Sequence, residues 1–321
     1  VNSSGNPIST LDALEQGCIG EIKDAIRYTT DGVLMQAKSV YRDAEGKTVI
    51  SNLTTPFDSL PSSFSGLAFQ IVIIKGWPHV TLKASPAKLL QGHNIFGSVS
   101  IRQAAMEFFS VLCLAFPDVF NDLDIFLTQA TNLDVTYSMR YAAADNPHAI
   151  DLGRDLITFF STLSFGQLKP RGGAFLDTTY WGSVDSQLGG LKAYLKLQEF
   201  KRQLKEVTRQ AKAGDAAAKR LLVVMKDDVL HQWASHLLRL EASFKKDWLR
   251  RHDIPLNVFE LMLYQEKLQA EGRCLLRELW QRKTAPLFAA CEGQKMKVLD
   301  DESVKADIRA AHFRETKSGK I

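Results

Sequence analysis

Paired cysteines and clustered histidines are what this 321-residue chain lacks first. Its four cysteines, Cys18, Cys113, Cys274 and Cys291, are scattered. None forms a C-x-x-C pair or stands at ligand spacing from a histidine. They read as buried or idle thiols in a reducing compartment, not as disulfides or a zinc site. His79 and His93 are too few and wrongly spaced for a zinc site. There is no G-x-G-x-x-G after a strand, no Walker A run, no H-E-x-x-H and no G-x-S-x-G, so the common nucleotide, metalloprotease and hydrolase readings drop out. Long apolar runs are missing as well. The longest, Phe108 to Phe116, is too short to cross a bilayer and is followed by Pro117, so no membrane partner is expected. No signal peptide, internal repeat or low-complexity segment is visible. The chain opens on Val1, so its natural start is expected upstream.

What is present is a globular composition, 45 % hydrophobic and 24 % charged, with a net charge of +4 and a pI near 8.8. The mild basicity is compatible with nucleic acid without requiring it. Residues 1–26 are weakly patterned, with a short helix expected from Thr10. Val33 to Tyr41 and Lys47 to Leu53 read as a hairpin about a turn at Asp43-Ala44-Glu45-Gly46. Phe64 to Ile74 reads as a central strand, followed by a strand carrying His79, Thr81 and Lys83 on one face. Ser85-Pro86 starts a short helix that ends at Gly92. Ile101 to Leu114 and His148 to Leu163 have helical spacing. The segment Leu197 to Ala213 reads as a strongly basic helix, and a second helix is expected over 216–234. From Trp248 onward the pattern is helical, interrupted at Pro255, Pro286 and Gly293.

Three short stretches alternate strictly. Leu133 to Arg140 places Leu133, Val135, Tyr137 and Met139 on one side and Asp134 on the other. Leu238 to Lys245 separates Leu238, Leu240, Ala242 and Phe244 from Arg239, Glu241, Ser243 and Lys245. Leu191 to Lys196 separates Leu191, Ala193 and Leu195 from Lys192, Tyr194 and Lys196. With the His79 strand these make four polar faces. If all belong to one antiparallel sheet, two carboxylates, a tyrosine and several cations converge. Asp134 and Glu241 could then hold Mg²⁺ or Mn²⁺, and Tyr194, helped by Lys196, could attack a phosphate. An antiparallel sheet also exposes a polar face without any such purpose, so ordinary surface acids remain the other reading of the pattern. The loop Gly166 to Gly173 carries Lys169 and Arg171. It could track a phosphate backbone or simply be solvated.

The runs Thr55-Pro56-Phe57-Asp58-Ser59-Leu60-Pro61, Ser65-Gly66-Leu67-Ala68-Phe69 and, above all, Leu82 through Gly97 (Leu-Lys-Ala-Ser-Pro-Ala-Lys-Leu-Leu-Gln-Gly-His-Asn-Ile-Phe-Gly) resemble the gene II replication initiators of filamentous bacteriophages. The likeness continues through Asp134, Ala193-Tyr194-Leu195-Lys196, Arg239-Leu240-Glu241-Ala242 and Ile254 to Phe259. The stretch Thr179 to Ser183, leading to Tyr194-Leu195-Lys196 and Glu199, more faintly resembles plasmid rolling-circle initiators. The resemblance implies an endonuclease that nicks one strand at a phage origin, becomes joined to the 5′ phosphate through the tyrosine at position 194, and later rejoins the strand. It implies origin DNA as partner, with a host helicase and polymerase and an oligomer on DNA as further possibilities, in the host bacterial cytoplasm. Lys83, Lys88, His93, Asn94, Lys169 and Arg171 are the residues expected against DNA. The histidine pair of relaxase-like nickases is absent, because Val80 and Thr81 follow His79. A non-catalytic origin-binding regulator of the same fold, or an enzyme acting on other phosphodiesters, are the competing readings. The expected architecture is α+β: a central antiparallel sheet with helices on one side in a nicking and joining domain over 1–245, and a helical C-terminal part over 246–321.

Overall fold

A computed structural model describes residues 19–298, apart from 23–24, 31–32, 43, 47, 61–63, 75–76, 143–148, 167, 173–176 and 183–185. The helix expected from Thr10 lies outside the described residues. The architecture is α+β, with two antiparallel sheets rather than one. The chain divides into two compact units, one comprising 1–123 and 207–224 and the other 124–206 and 225–321.

The first unit holds a seven-stranded sheet. Its strands are β1 (Ile19–Ile22), β2 (Ala25–Thr30), β3 (Val33–Arg42), β4 (Thr48–Thr54), β5 (Asp58–Leu60), β6 (Leu67–Ile74) and β7 (Trp77–Lys83). The expected hairpin is β3–β4. β6 takes β4 and β5 along one edge and β7 along the other. Here the sequence expectation needs correcting: the face with His79, Thr81 and Lys83 does not join the other three polar faces. β7 directly follows β6 and pairs with it over its whole length, so a local hairpin captures the strand. Helix α1 (Pro86–Gln91) starts at Ser85 and ends at Gly92, whose φ of 80° is open to glycine at no steric cost. In α2 (Ile101–Ala115), the Ser100 hydroxyl accepts from the Gln103 amide at 3.1 Å, capping the first turn. Leu89, Val111 and Leu112 pack with Leu60 and Leu67 to form this unit's core. The short helix α3 (Pro117–Asn121) follows.

The second unit is built on a five-stranded sheet, in the order β8 (Asn132–Arg140), β12 (Leu237–Lys245), β11 (Leu191–Leu195), β10 (Thr178–Trp181), β9 (Pro170–Gly172). All neighbours are antiparallel. Period-two alternation gives it one apolar face, on which Leu238, Leu240, Ala242 and Phe244 are fully buried. Two helices cover that face. From α4 (Ala149–Thr162), Phe160 packs edge-on against Trp181, and the Trp181 indole donates to the Leu163 carbonyl at 2.8 Å. From α10 (Leu275–Val298), Trp280 lies 4.9 Å from the Tyr137 ring and donates to the Leu240 carbonyl at 3.2 Å. Pro286 and Gly293 do not interrupt α10 as the sequence suggested. Proline's fixed φ suits a helix, and Leu279 and Leu287, buried on either side of it, hold the segment down. This unit also holds the start of α5 (Lys196–Lys212) and the helices α7 (Asp228–Ala234), α8 (Lys246–Arg251) and α9 (Val258–Ala270), whereas residues 207–224, the end of α5 and nearly all of α6 (Ala216–Met225), belong to the first unit. The expected single helix over 216–234 is split because Asp227 leaves helical geometry and caps α7, accepting from the amides of Val229 and Leu230.

Candidate active site

The polar face of the five-stranded sheet is assembled by register. Tyr194 on β11 stands opposite Arg239 on β12, and Arg239 stands opposite Ser138 on β8. Lys192 faces Glu241, and Glu241 faces Thr136. Asp134 faces Ser243, two positions farther along the same side of β12. On the other flank, Tyr180 of β10 lies opposite Lys192, and Arg171 of β9 lies opposite Tyr180. Directly opposed residues share a face, so Asp134, Glu241 and Tyr194 lie on one side of the sheet, as their alternation suggests.

Tyr194 is 3 % exposed, although a solvated strand face would leave it open. Its hydroxyl donates to Glu241 Oε2 at 3.5 Å, and the Arg239 side chain stands beside it across the strand pair. Arg239 is itself buried, and its Nε donates to Ser138 Oγ at 3.0 Å. Burial pushes the Tyr194 phenol well above its ordinary range. The Arg239 guanidinium pulls the other way, while the Glu241 and Glu199 carboxylates push it further up. Burial likewise raises Glu241; Lys192 opposes the shift, and the nearby Asp134 charge adds to it.

One expectation about the cations is corrected here. Lys196 is not on the strand face. It is the first residue of α5, 1 % exposed, with its ammonium held by Glu199 Oε2. It is therefore an enclosed cation paired with Glu199, not an exposed one on the strand face. Lys192 sits over the Tyr194 ring, 4.2 Å from its centroid, and 5.6 Å from that of Tyr180. It thus meets the ring faces in cation–π geometry. Arg239, assigned no individual role by its alternation, is the cation whose charge acts on the Tyr194 oxygen. Its signal was present: an arginine on the polar side of the strand, two residues before Glu241. Glu199, named only within the fainter resemblance, stands at i, i+3 spacing from Lys196 and pairs with it.

The remaining residues expected against DNA fall in both units. Lys83 ends β7 and is exposed, while Lys88 lies on α1 and Asn94 just beyond it, both half-buried. His93 is 6 % exposed and packs edge-on against Phe96 at 4.8 Å, so its ring belongs to the packing of the motif. In the second unit, Lys169 and Arg171 are exposed at the β9 edge of the sheet.

Among the described residues, no group of three or more His, Cys, Asp or Glu side chains is placed to hold a metal ion. Glu241 and Asp134 nevertheless make an apt partial donor set for a hard cation. They are oxygen ligands whose charges oppose one another, and Mg²⁺ commonly takes only one or two carboxylates, filling its shell with water and substrate phosphate.

The raised affinity of Glu241 for its proton has a measurable consequence. A carboxyl group that holds its proton more tightly in the folded chain than in the unfolded one favours the fold at low pH. That contribution is lost as pH rises through the raised value. Without divalent cation, Glu241→Gln is therefore expected to raise the melting temperature at neutral pH. The gain should fade below the ordinary glutamate value of about 4.3. A lower melting temperature for the variant at neutral pH would mean that the Tyr194 bond outweighs the burial of charge.

The chain is thus an α+β protein that buries a tyrosine between a carboxylate and a guanidinium on one face of an antiparallel sheet. Comparison with known proteins gives the family. The sequence model of the N-terminal family of the phage replication-associated protein matches residues 22–270, and the chain belongs to that family. It is 32 % identical to the replication-associated protein of Enterobacteria phage M13 over 298 residues, which is 91 % of this chain and 70 % of that protein. The counterpart from Enterobacteria phage f1 matches to the same extent. That of Salmonella phage IKe is 32 % identical over 326 aligned positions, covering 100 % of this chain and 73 % of its own. No solved structure matches the chain significantly. No helix among the described residues is long and apolar enough to cross a membrane.

Proposed function

We propose that this chain initiates rolling-circle replication by nicking one strand at a phage double-stranded origin and rejoining it through a covalent 5′-phosphotyrosine. The observation that carries the reading is the Tyr194 hydroxyl held between Glu241 and Arg239 in a replication-associated chain. Tyr194 attacks the scissile phosphorus in line, and the 3′ oxygen departs as a hydroxyl that a host polymerase can extend. The phosphotyrosine ester keeps the energy of the broken phosphodiester. A 3′ hydroxyl can therefore attack it and reseal the strand without ATP, which hydrolysis by water would forfeit. Glu241 with Asp134 would hold Mg²⁺ or Mn²⁺, whose chemistry when bound is to withdraw charge from the phosphate. Lys83, Lys88 and Asn94 in one unit, and Lys169 and Arg171 in the other, contact the DNA backbone. A host helicase and an oligomer on the origin suit the same role, in the host bacterial cytoplasm.

The test is incubation with supercoiled origin DNA and Mg²⁺. A nicked circle with protein attached to its 5′ end is expected, and EDTA should prevent its formation. Origin binding without any nick would instead identify a non-catalytic regulator. A nick on every supercoiled plasmid alike would remove the origin from the proposal.

A further inference from the structure

We infer that Arg239 is a catalytic residue of this strand transfer: its guanidinium holds the Tyr194 oxygen while that oxygen carries negative charge, both as it attacks and as it leaves. This rests on the reading of Tyr194 as nucleophile and adds to it the group that makes the reaction reversible.

The geometry narrows the choice of cation. Lys192 approaches the Tyr194 ring face, 4.2 Å from the centroid, and Lys196 is turned to Glu199. Arg239 is the cross-strand neighbour of Tyr194 and is 3 % exposed. On its far side the Nε bond to Ser138 Oγ, 3.0 Å long, fixes the plane of the guanidinium. On its near side it stands directly across the strand pair from Tyr194, and its charge acts on the phenol. A row of three side chains thus crosses three strands, Ser138 to Arg239 to Tyr194, and ends at the reacting oxygen. A fixed, buried guanidinium aimed at an oxygen that becomes charged is electrostatic preorganisation: little need move when the charge appears. Arginine suits the place because its fork makes two directed contacts at once, which a lysine cannot.

In nicking, the bond from Tyr194 Oη to phosphorus forms as the bond from phosphorus to the 3′ oxygen breaks. The electron pair of the broken bond stays on the 3′ oxygen. The phenolic proton passes to solvent and the 3′ oxygen takes one up, so no oxidant or reductant is involved. Rejoining is the reverse, with the phenolate as leaving group. Negative charge develops on the Tyr194 oxygen in both directions, so one cation at that oxygen serves both.

The experiment measures single-turnover adduct formation on origin oligonucleotides with Mg²⁺. One substrate is normal, and one carries sulfur in place of the bridging 3′ oxygen, a better leaving group. Arg239→Gln is expected to slow adduct formation about 100-fold or more on both substrates, and rejoining by a similar factor, with origin binding unchanged. Arg239→Lys should recover about a tenth of the lost rate, a point charge without the fork. An adduct rate within about 3-fold of wild type would overturn the inference. So would a loss that disappears with the sulfur substrate, because Arg239 would then act on the leaving oxygen. Should Arg239→Gln fail to fold, Ser138→Ala removes only the bond that aims the guanidinium. Slowing by about 10-fold with binding intact supports the inference, and an unchanged rate counts against it. Absence of any adduct with the wild-type chain, or an adduct that survives in Tyr194→Phe, overturns the nucleophile reading and this inference together. Loss of the Arg239 effect with a Tyr194 adduct intact overturns this inference alone.

Discussion

Replacing Tyr194 with phenylalanine is expected to abolish both the nick and the covalent adduct while leaving the fold and DNA binding in place. The ring is 3 % exposed and packed within the sheet, and phenylalanine keeps that packing. The hydroxyl is lost with its 3.5 Å bond to Glu241 and its contact with Arg239, a change of about 1–3 kcal/mol in stability. Loss of the nucleophile itself should lower the rate by more than about 10⁴-fold, since removing the attacking oxygen leaves binding but no acceptor for the phosphoryl group. The competitors are separable. Tyr137 lies on the opposite face of the sheet, its ring 4.9 Å from Trp280, and has no path to the polar side. Tyr180 is the serious rival, on the same side of the sheet opposite Lys192. Tyr180→Phe is expected to keep both nick and adduct. Recovery of the labelled 5′ end on a peptide containing Tyr180 would show that the wrong tyrosine has been named.

DNA binding is expected to weaken steeply with salt. Lys83, Lys169 and Arg171 are exposed and Lys88 half-buried, whereas Lys196 is enclosed and drops out of the count. If the four remaining cations each neutralise a phosphate, the slope of log K against log salt should be about −3.6. Affinity should then fall on the order of 100-fold between about 50 and 200 mM. Such contacts position the backbone and carry no sequence information, so the loss should be the same on origin and non-origin DNA. Reversing charge at both Lys169 and Arg171 should flatten the slope by about 2. A slope that is flat in the wild type, or unchanged in that double variant, would remove the β9 edge from the DNA path.

The faces of this protein were legible in its sequence; the connections between faces were not. Strands β8, β11 and β12 are antiparallel strands with one apolar face and one polar one. Their period-two alternation therefore records which side each residue takes, and Asp134, Glu241 and Tyr194 could be placed on one side from it. Gly92 and Ser85 marked the ends of α1 for equally local reasons. Lys196 was illegible because Leu-Lys-Ala-Tyr-Leu-Lys alternates to its last residue, and the helix that begins there is marked only by a partner three positions on. The role of Arg239 was hidden by distance. Its hydrogen-bonding partner Ser138 is 101 positions away in the chain, and register across such a gap is fixed by tertiary pairing. The separation into two sheets was hidden in the same way: an alternating strand records its faces but not its neighbours.

The position of β11 within its sheet bears on mechanics. β11 is an inner strand, laddered to β12 on one side and β10 on the other, and its next residue enters α5 without a linker. In the covalent intermediate, a DNA strand being peeled from its circle would hang from the side chain of Tyr194. Tension on that tether would load two rows of backbone hydrogen bonds in parallel. A tyrosine on an edge strand or a loop would give way one bond at a time. Under the proposed function, the sheet that orients the nucleophile is also the anchor that keeps hold of the DNA end while the replication machinery pulls.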